Sequence, residues 1–179
     1  AIQDGIIAGI GSFHGKEERD LAGRYVCPGF IDSHLHLEST LVTPAELVTV
    51  ASRHGTTTFI VDPHESANVS GLAGIDYILD QTEDVKANVY VMMPSCVPAT
   101  AIDDNGCTLT AEDMVPYLHN SRILGLGEVM DSISVVQGEK SMHDKLELFE
   151  GRIRDGHAPF LEEGDLQAYA MAGIATDHE

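Results

Sequence analysis

Residues 25–36 read Tyr25-Val-Cys-Pro-Gly-Phe-Ile-Asp-Ser-His-Leu-His36. An apolar, β-rich run, Tyr25–Ile31, gives way to a polar cluster with two histidines two residues apart. Residues two apart on a strand face the same side, so His34 and His36 are expected to present their rings together. Two such imidazoles can hold one divalent ion if each turns an acceptor nitrogen toward it.

The same pattern recurs along the chain. Thr57–Val61 precedes Asp62-Pro-His-Glu, Val89–Met93 precedes Pro94-Ser-Cys, and Ile123–Leu126 precedes Gly127-Glu-Val-Met. Arg152–Arg154 precedes Asp155-Gly-His-Ala-Pro, and Gly173–Ala175 precedes Thr176-Asp-His-Glu. With His34, His64, Pro94, Glu128, His157 and His178 as markers, the spacings are 30, 30, 34, 29 and 21. Strands alternating with helices at this spacing predict βα units and a parallel sheet.

Helix signals fill the intervals. Thr43-Pro-Ala-Glu46 reads as a capping box with Pro at the first helical position, closed by Gly55. Ser70 is expected to cap a helix carrying Leu72, Ile75 and Leu79. Thr110 precedes a third, Ser141 a fourth, and Asp165–Ala172 a fifth. Ile2–Ile10, around Asp4-Gly5, carries a hairpin signal. The expected fold is therefore α/β: a (β/α)8 barrel of TIM type over residues 25–179 with strands one to six present. Part of a small flanking β-domain is expected over residues 1–24. A whole barrel needs about 250 residues, so the last strands are missing. Both ends, Ala1 and Glu179, read as cut, and any targeting segment is expected outside the chain.

In such barrels the active site lies at the C-terminal ends of the strands. That places His34, His36, Glu128, His157 and His178 in one mouth. Glu128 is the most informative, because a carboxylate after the apolar Gly125-Leu-Gly run is costly unless paired or metal-bound. Taken alone, His157 also reads as a turn histidine and His178 as a solvated one. His14, His54, His119 and His143 fall away from strand ends and are expected at the surface.

Composition narrows the partners. A formal charge of −19 argues against nucleic acid and against an anionic membrane surface. No apolar run approaches the roughly 20 residues needed to span a bilayer. Cys27, Cys96 and Cys107 form no Cys-x-x-Cys pair and read as free thiols of a cytoplasmic protein. His36-Leu-Glu38 matches the His-x-Glu of cytidine-type zinc deaminases, but Pro94-Ser-Cys-Val-Pro98 lacks their second cysteine.

Pro28-Gly-Phe-Ile-Asp-Ser-His-Leu-His36 resembles the first-strand signature of the amidohydrolase superfamily. His36-Leu-Glu-Ser39, Asp62-Pro-His-Glu65, Pro94-Ser-Cys-Val-Pro98, Gly125-Leu-Gly-Glu-Val-Met130, Asp155-Gly-His-Ala-Pro159 and Asp177-His-Glu179 narrow it. As an ordered set spanning nearly the whole chain, they resemble the adenine deaminases. The resemblance implies hydrolytic deamination of adenine to hypoxanthine and ammonia by a binuclear centre of Mn²⁺ or Fe²⁺, with Zn²⁺ as a further option.

The resemblance also implies roles. His34 and His36 would hold the more buried ion, His157 and His178 the second, and Glu128 would bridge them. A proton donor to the ring is required, with Glu38, His64 and Glu65 as unranked candidates. The superfamily expects a further Asp at the eighth strand; Asp155 and Asp177 belong to the fifth and sixth and do not replace it. A homo-oligomer is compatible with this reading. The rival readings are an amidohydrolase acting on a cyclic amide, whose usual bridging lysine Glu128 disfavours, and a fragment that only binds metal or a partner subunit.

Overall fold

A computed structural model of the chain describes residues 1–100 and 102–178. Glu179, which closes the last motif, lies outside them. Eight strands run in chain order: β1 (Ile2–Gln3), β2 (Ile6–Ile7), β3 (Phe30–Leu35), β4 (Thr56–Val61), β5 (Asn88–Met93), β6 (Ile123–Val129), β7 (Ile153–Gly156) and β8 (Thr176–Asp177). Strands β3 to β8 form one sheet in the order β3-β4-β5-β6-β7-β8. Every neighbouring pair in it is parallel.

Helices occupy the crossovers: α1 (Pro44–Ser52), α2 (His64–Ser70), α3 (Leu72–Gln81), α4 (Ala111–Met114), α5 (Ser132–Gln137), α6 (Lys140–Leu148) and α7 (Glu163–Met171). Short 3₁₀ turns cover Glu38–Thr40 and Val115–His119. This is six strands of a (β/α)8 barrel, as the thirty-residue period predicts. β6 is buried along almost its whole length, as expected of a parallel strand covered on both faces. The core joins Phe59, Val61, Val91, Met93 and Leu126 of the sheet to Val48, Ile75, Ile78, Leu146 and Phe149 of the outer layer.

Several boundaries differ from the sequence expectation. The first barrel strand starts at Phe30 rather than Tyr25, and Tyr25 and Val26 are exposed. Pro28 cannot donate to a ladder, and Gly29 lies where a side chain would overlap Thr57. The last strand starts at Thr176 rather than Gly173, because Gly173 takes a positive φ of 86° just past α7. Ser70 ends α2 instead of capping α3, and Gly71 separates the two helices. Thr43 accepts the Glu46 N–H as an N-cap, but the reciprocal capping box forms at Thr110 and Asp113. Glu139, not Ser141, precedes α6.

β1 and β2 form the expected hairpin, with Asp4 and Gly5 both at positive φ as a two-residue type I′ turn requires. Its four isoleucine and glutamine positions are all exposed. No helix among the described residues is long and apolar enough to cross a membrane.

Candidate metal centre

The cluster is assembled one strand end at a time. β3 delivers His34 and, one residue past its end, His36; β6 delivers Glu128; His157 follows β7 and His178 follows β8. All four histidines converge on the Glu128 carboxylate, which is 3% exposed. Oε2 lies 3.6 Å from His34 Nε2, 3.2 Å from His157 Nδ1 and 3.1 Å from His178 Nε2. Oε1 lies 3.6 Å from His36 Nε2 and 3.1 Å from His64 Nδ1. The two oxygens of one carboxylate thus face two different groups of imidazoles.

The rings are oriented from behind. His36 Nδ1–H donates to the Asp62 carbonyl at 2.9 Å, which leaves Nε2 as the acceptor facing the cluster. Asp155 Oδ2 lies 3.4 Å from His34 Nδ1 and 3.2 Å from His178 Nδ1, so one carboxylate turns both Nε2 atoms inward. His34 and His178 stack with centroids 3.6 Å apart. The His157 main-chain N–H donates to the Tyr169 hydroxyl at 3.1 Å, and that hydroxyl donates to Val129 O at 2.5 Å. Tyr169 is held well above the usual phenol range, chiefly by burial.

Glu128 itself is fixed by Asp62, whose Oδ2 accepts its N–H at 2.8 Å. Asp62 is 1% exposed, and its Oδ1 has no hydrogen-bond partner among the described residues. A methyl group at Gly127 would overlap the Asp62 carboxylate, and one at Gly125 would overlap the main chain of Ile153. The two glycines of Gly125-Leu-Gly127 are what let neighbouring strands and Asp62 close on the Glu128 backbone.

The three proton-donor candidates separate in place. His64, in the first turn of α2, faces both Glu128 and Asp62. Burial works against its charge, but Asp62, Glu128 and Glu38 outweigh it and raise its pKa. Glu38 Oε1 accepts the N–H groups of Glu65 and Ser66 at 3.1 and 3.2 Å, and so caps α2. Its Oε2 is buried without a hydrogen-bond partner among the described residues, and burial pushes its pKa up. Glu65 is exposed and bonded by Ser39. Burial and the neighbouring His178 push His34 below the usual imidazole range. Of the remaining histidines, His143 is half-buried and 3.0 Å from Val135 O, while His14, His54 and His119 are exposed as expected.

The donor set fits divalent metal. Ligand atoms of His34, Glu128 and His178 lie within 4.8 Å of one another, as do those of His36, His64 and Glu128. His34 Nε2 and His36 Nε2 are 3.0 Å apart, a close approach of two lone-pair-bearing atoms that a shared cation relieves. Imidazole and carboxylate without thiolate suit Mn, Fe or Zn. The residues missed by sequence reasoning are the orienting ones: Asp62, Asp155 and Tyr169. Asp62 and Asp155 sit inside motifs already singled out, and a carboxylate beside a ligand-type histidine is the signal that could have found them.

The amidohydrolase family model matches residues 25–179. The adenine deaminase of Desulfitobacterium hafniense (strain Y51) is 61% identical over 179 residues, all of this chain and 32% of that protein. Adenine deaminase 2 of Carboxydothermus hydrogenoformans is 47% identical over all of this chain and 31% of its own length. The adenine deaminase of Methanoculleus marisnigri is 48% identical over 99% of this chain and 34% of its own length. The chain therefore spans about a third of the length of these curated relatives.

Proposed function

This chain belongs to the amidohydrolase family, and from that premise we propose that it carries the metal centre of a hydrolase that converts adenine and water to hypoxanthine and ammonia. The observation that carries the reading is Glu128, whose two oxygens face separate groups of imidazoles inside a buried pocket of charge. The relatives named adenine deaminase support the substrate.

In this reading His34, His36, Glu128, His157 and His178 hold a pair of divalent ions, Mn²⁺ or Fe²⁺ before Zn²⁺, with His64 beside them. The ions would supply a nucleophile at neutral pH by lowering the pKa of water. Asp155 and the Asp62 carbonyl keep the imidazole tautomers that ligation needs. The oxygen of water ends on C6 and the exocyclic amine leaves as ammonia, so a ring nitrogen must gain a proton on the way. We assign that proton to Glu38 Oε2 or His64, which face inward; Glu65, exposed and tied to Ser39, is the weakest of the three.

We further read residues 1–24 as part of a small β-domain, which the separate hairpin and the family match starting at residue 25 support. The three free thiols and the charge of −19 support a cytoplasmic protein that does not bind nucleic acid. The test is ammonia release by the intact protein loaded with Mn²⁺ or Fe²⁺, with adenine and adenosine as alternatives. Adenine is expected to be strongly preferred; preference for adenosine, or release from neither, overturns the substrate.

A further inference from the structure

Glu128 lies where the sheet stops holding it. The β5–β6 ladder ends at the Met93↔Leu126 pair, and the β6–β7 ladder shifts register between Leu126 and Val129. The backbone of a residue that must aim a buried carboxylate to within about 1 Å is thus left outside regular pairing. Side chains take over. Asp62 accepts its N–H, and the Ser95 hydroxyl, 1% exposed, donates to its carbonyl at 2.5 Å.

Ser95 is held in turn. Lys145, on α6, reaches inward and donates from Nζ to the Ser95 carbonyl at 2.7 Å. It is 7% exposed, and the described residues give it no ion pair. It lines a cavity of about 430 Å³ together with Ser95, Cys96 and Asp131. Burial works against the Lys145 charge, which Cys96, Asp131 and Asp113 offset only in part, so the side chain is poor stabilisation and an apolar one of the same length would pack about as well. Cys96 completes the ring of contacts: its sulfur accepts the Asp131 N–H at 3.3 Å and lies 3.1 Å from Ser95 Oγ.

We propose that Ser95, anchored by Lys145, is a positioning residue that fixes the main chain of Glu128 and so the aim of its carboxylate between the two groups of imidazoles. This rests on the reading of Glu128 as a metal bridge. Neither residue touches substrate or metal; Lys145 acts through Ser95, and Ser95 through Glu128.

The test uses the intact protein with three variants, Ser95→Ala, Ser95→Thr and Lys145→Met. Three quantities are read: Mn²⁺ affinity by titration of the metal-free protein, kcat and KM for adenine, and the Tm of the metal-free form. Ser95→Ala is expected to weaken Mn²⁺ binding by about tenfold or more, the scale of residues that orient ligands. Its kcat falls with an unchanged KM, and Ser95→Thr, which keeps the hydroxyl, restores most of both. Lys145→Met moves in the same direction without lowering the metal-free Tm. Parent-like Mn²⁺ affinity in both Ser95→Ala and Lys145→Met overturns the proposal, whatever their Tm. Mn²⁺ affinity reads the positioning and adenine turnover reads the reaction: a protein inert toward adenine whose Mn²⁺ binding still falls in Ser95→Ala sustains the positioning role and rejects the substrate.

Discussion

Asp62 and Glu128, sixty-six residues apart in sequence, are joined side chain to main chain: Asp62 Oδ2 accepts the Glu128 N–H at 2.8 Å, with both residues almost fully buried. That bond passes through the space a side chain at residue 127 would fill. Gly127→Ala is therefore expected to displace Asp62 and to cost about 1–3 kcal/mol, the usual range for overpacking a filled interior. Metal binding should weaken along with stability. Chemical denaturation and Mn²⁺ titration of the same variant check both; a variant with parent values for each would show that Asp62 moves freely.

Glu128→Gln removes the negative charge that five imidazoles surround, and turns an amide N–H₂ toward any cation there. Metal content of the purified protein is expected to fall, and kcat for adenine by more than about tenfold. Elemental analysis decides it. Full metal content with normal turnover would remove Glu128 from its assigned place.

Asp155 orients two imidazoles with one carboxylate oxygen. Asp155→Asn keeps the shape but lets the amide present N–H to a ring nitrogen, which favours the wrong tautomer of His34 or His178. Roughly tenfold weaker Mn²⁺ binding is expected with little change in Tm. Comparison with Asp155→Ala separates the charge effect from loss of the Thr176 hydroxyl contact, which lies 2.7 Å from Asp155 Oδ1.

The capping box of α4 gives a pH-dependent contribution far from the centre. The Thr110 side chain, followed by its main chain, holds Asp113 below its ordinary value of 3.8. A depressed carboxylate stabilises the fold above its unfolded pKa, and loses that contribution as pH falls through the folded value. Thr110→Ala should cost about 1 kcal/mol at neutral pH. The gap between parent and variant should narrow below pH 3.8. Urea unfolding at neutral and acid pH measures it; a gap constant across that range refutes the assignment.

The period of the chain carried most of the architecture, because each βα unit repeats the same change from apolar run to polar cluster. Strand edges carried less. Pro28 and Gly29 look like part of an apolar run, and only the ladder's need for an N–H and the crowding at Thr57 exclude them. Glu128 and its histidines stood out because strand ends in such a sheet share one face. Their grouping was less legible: His34 Nε2 and His36 Nε2 lie 3.0 Å apart, close enough for the expected pair, while Glu128 Oε2 also faces His34 together with His157 and His178. Lys145 was legible only from its spacing: three residues after Met142 and one before Leu146, it shares the buried face of α6, where a lysine is out of place.

Because strand order equals chain order, each strand docks beside the one made just before it, across a separation of about thirty residues. Closing segments of that length costs little more at the fifth step than at the first. The sheet can thus grow by accretion, although each parallel pairing is non-local and forms more slowly than a hairpin or helix would. His34, His36 and His64 are placed by the first two units, before the Glu128 strand joins. The carboxylate that both groups of imidazoles face therefore belongs to a later repeat than three of the rings around it, so the centre is complete only once distant parts of the chain have met.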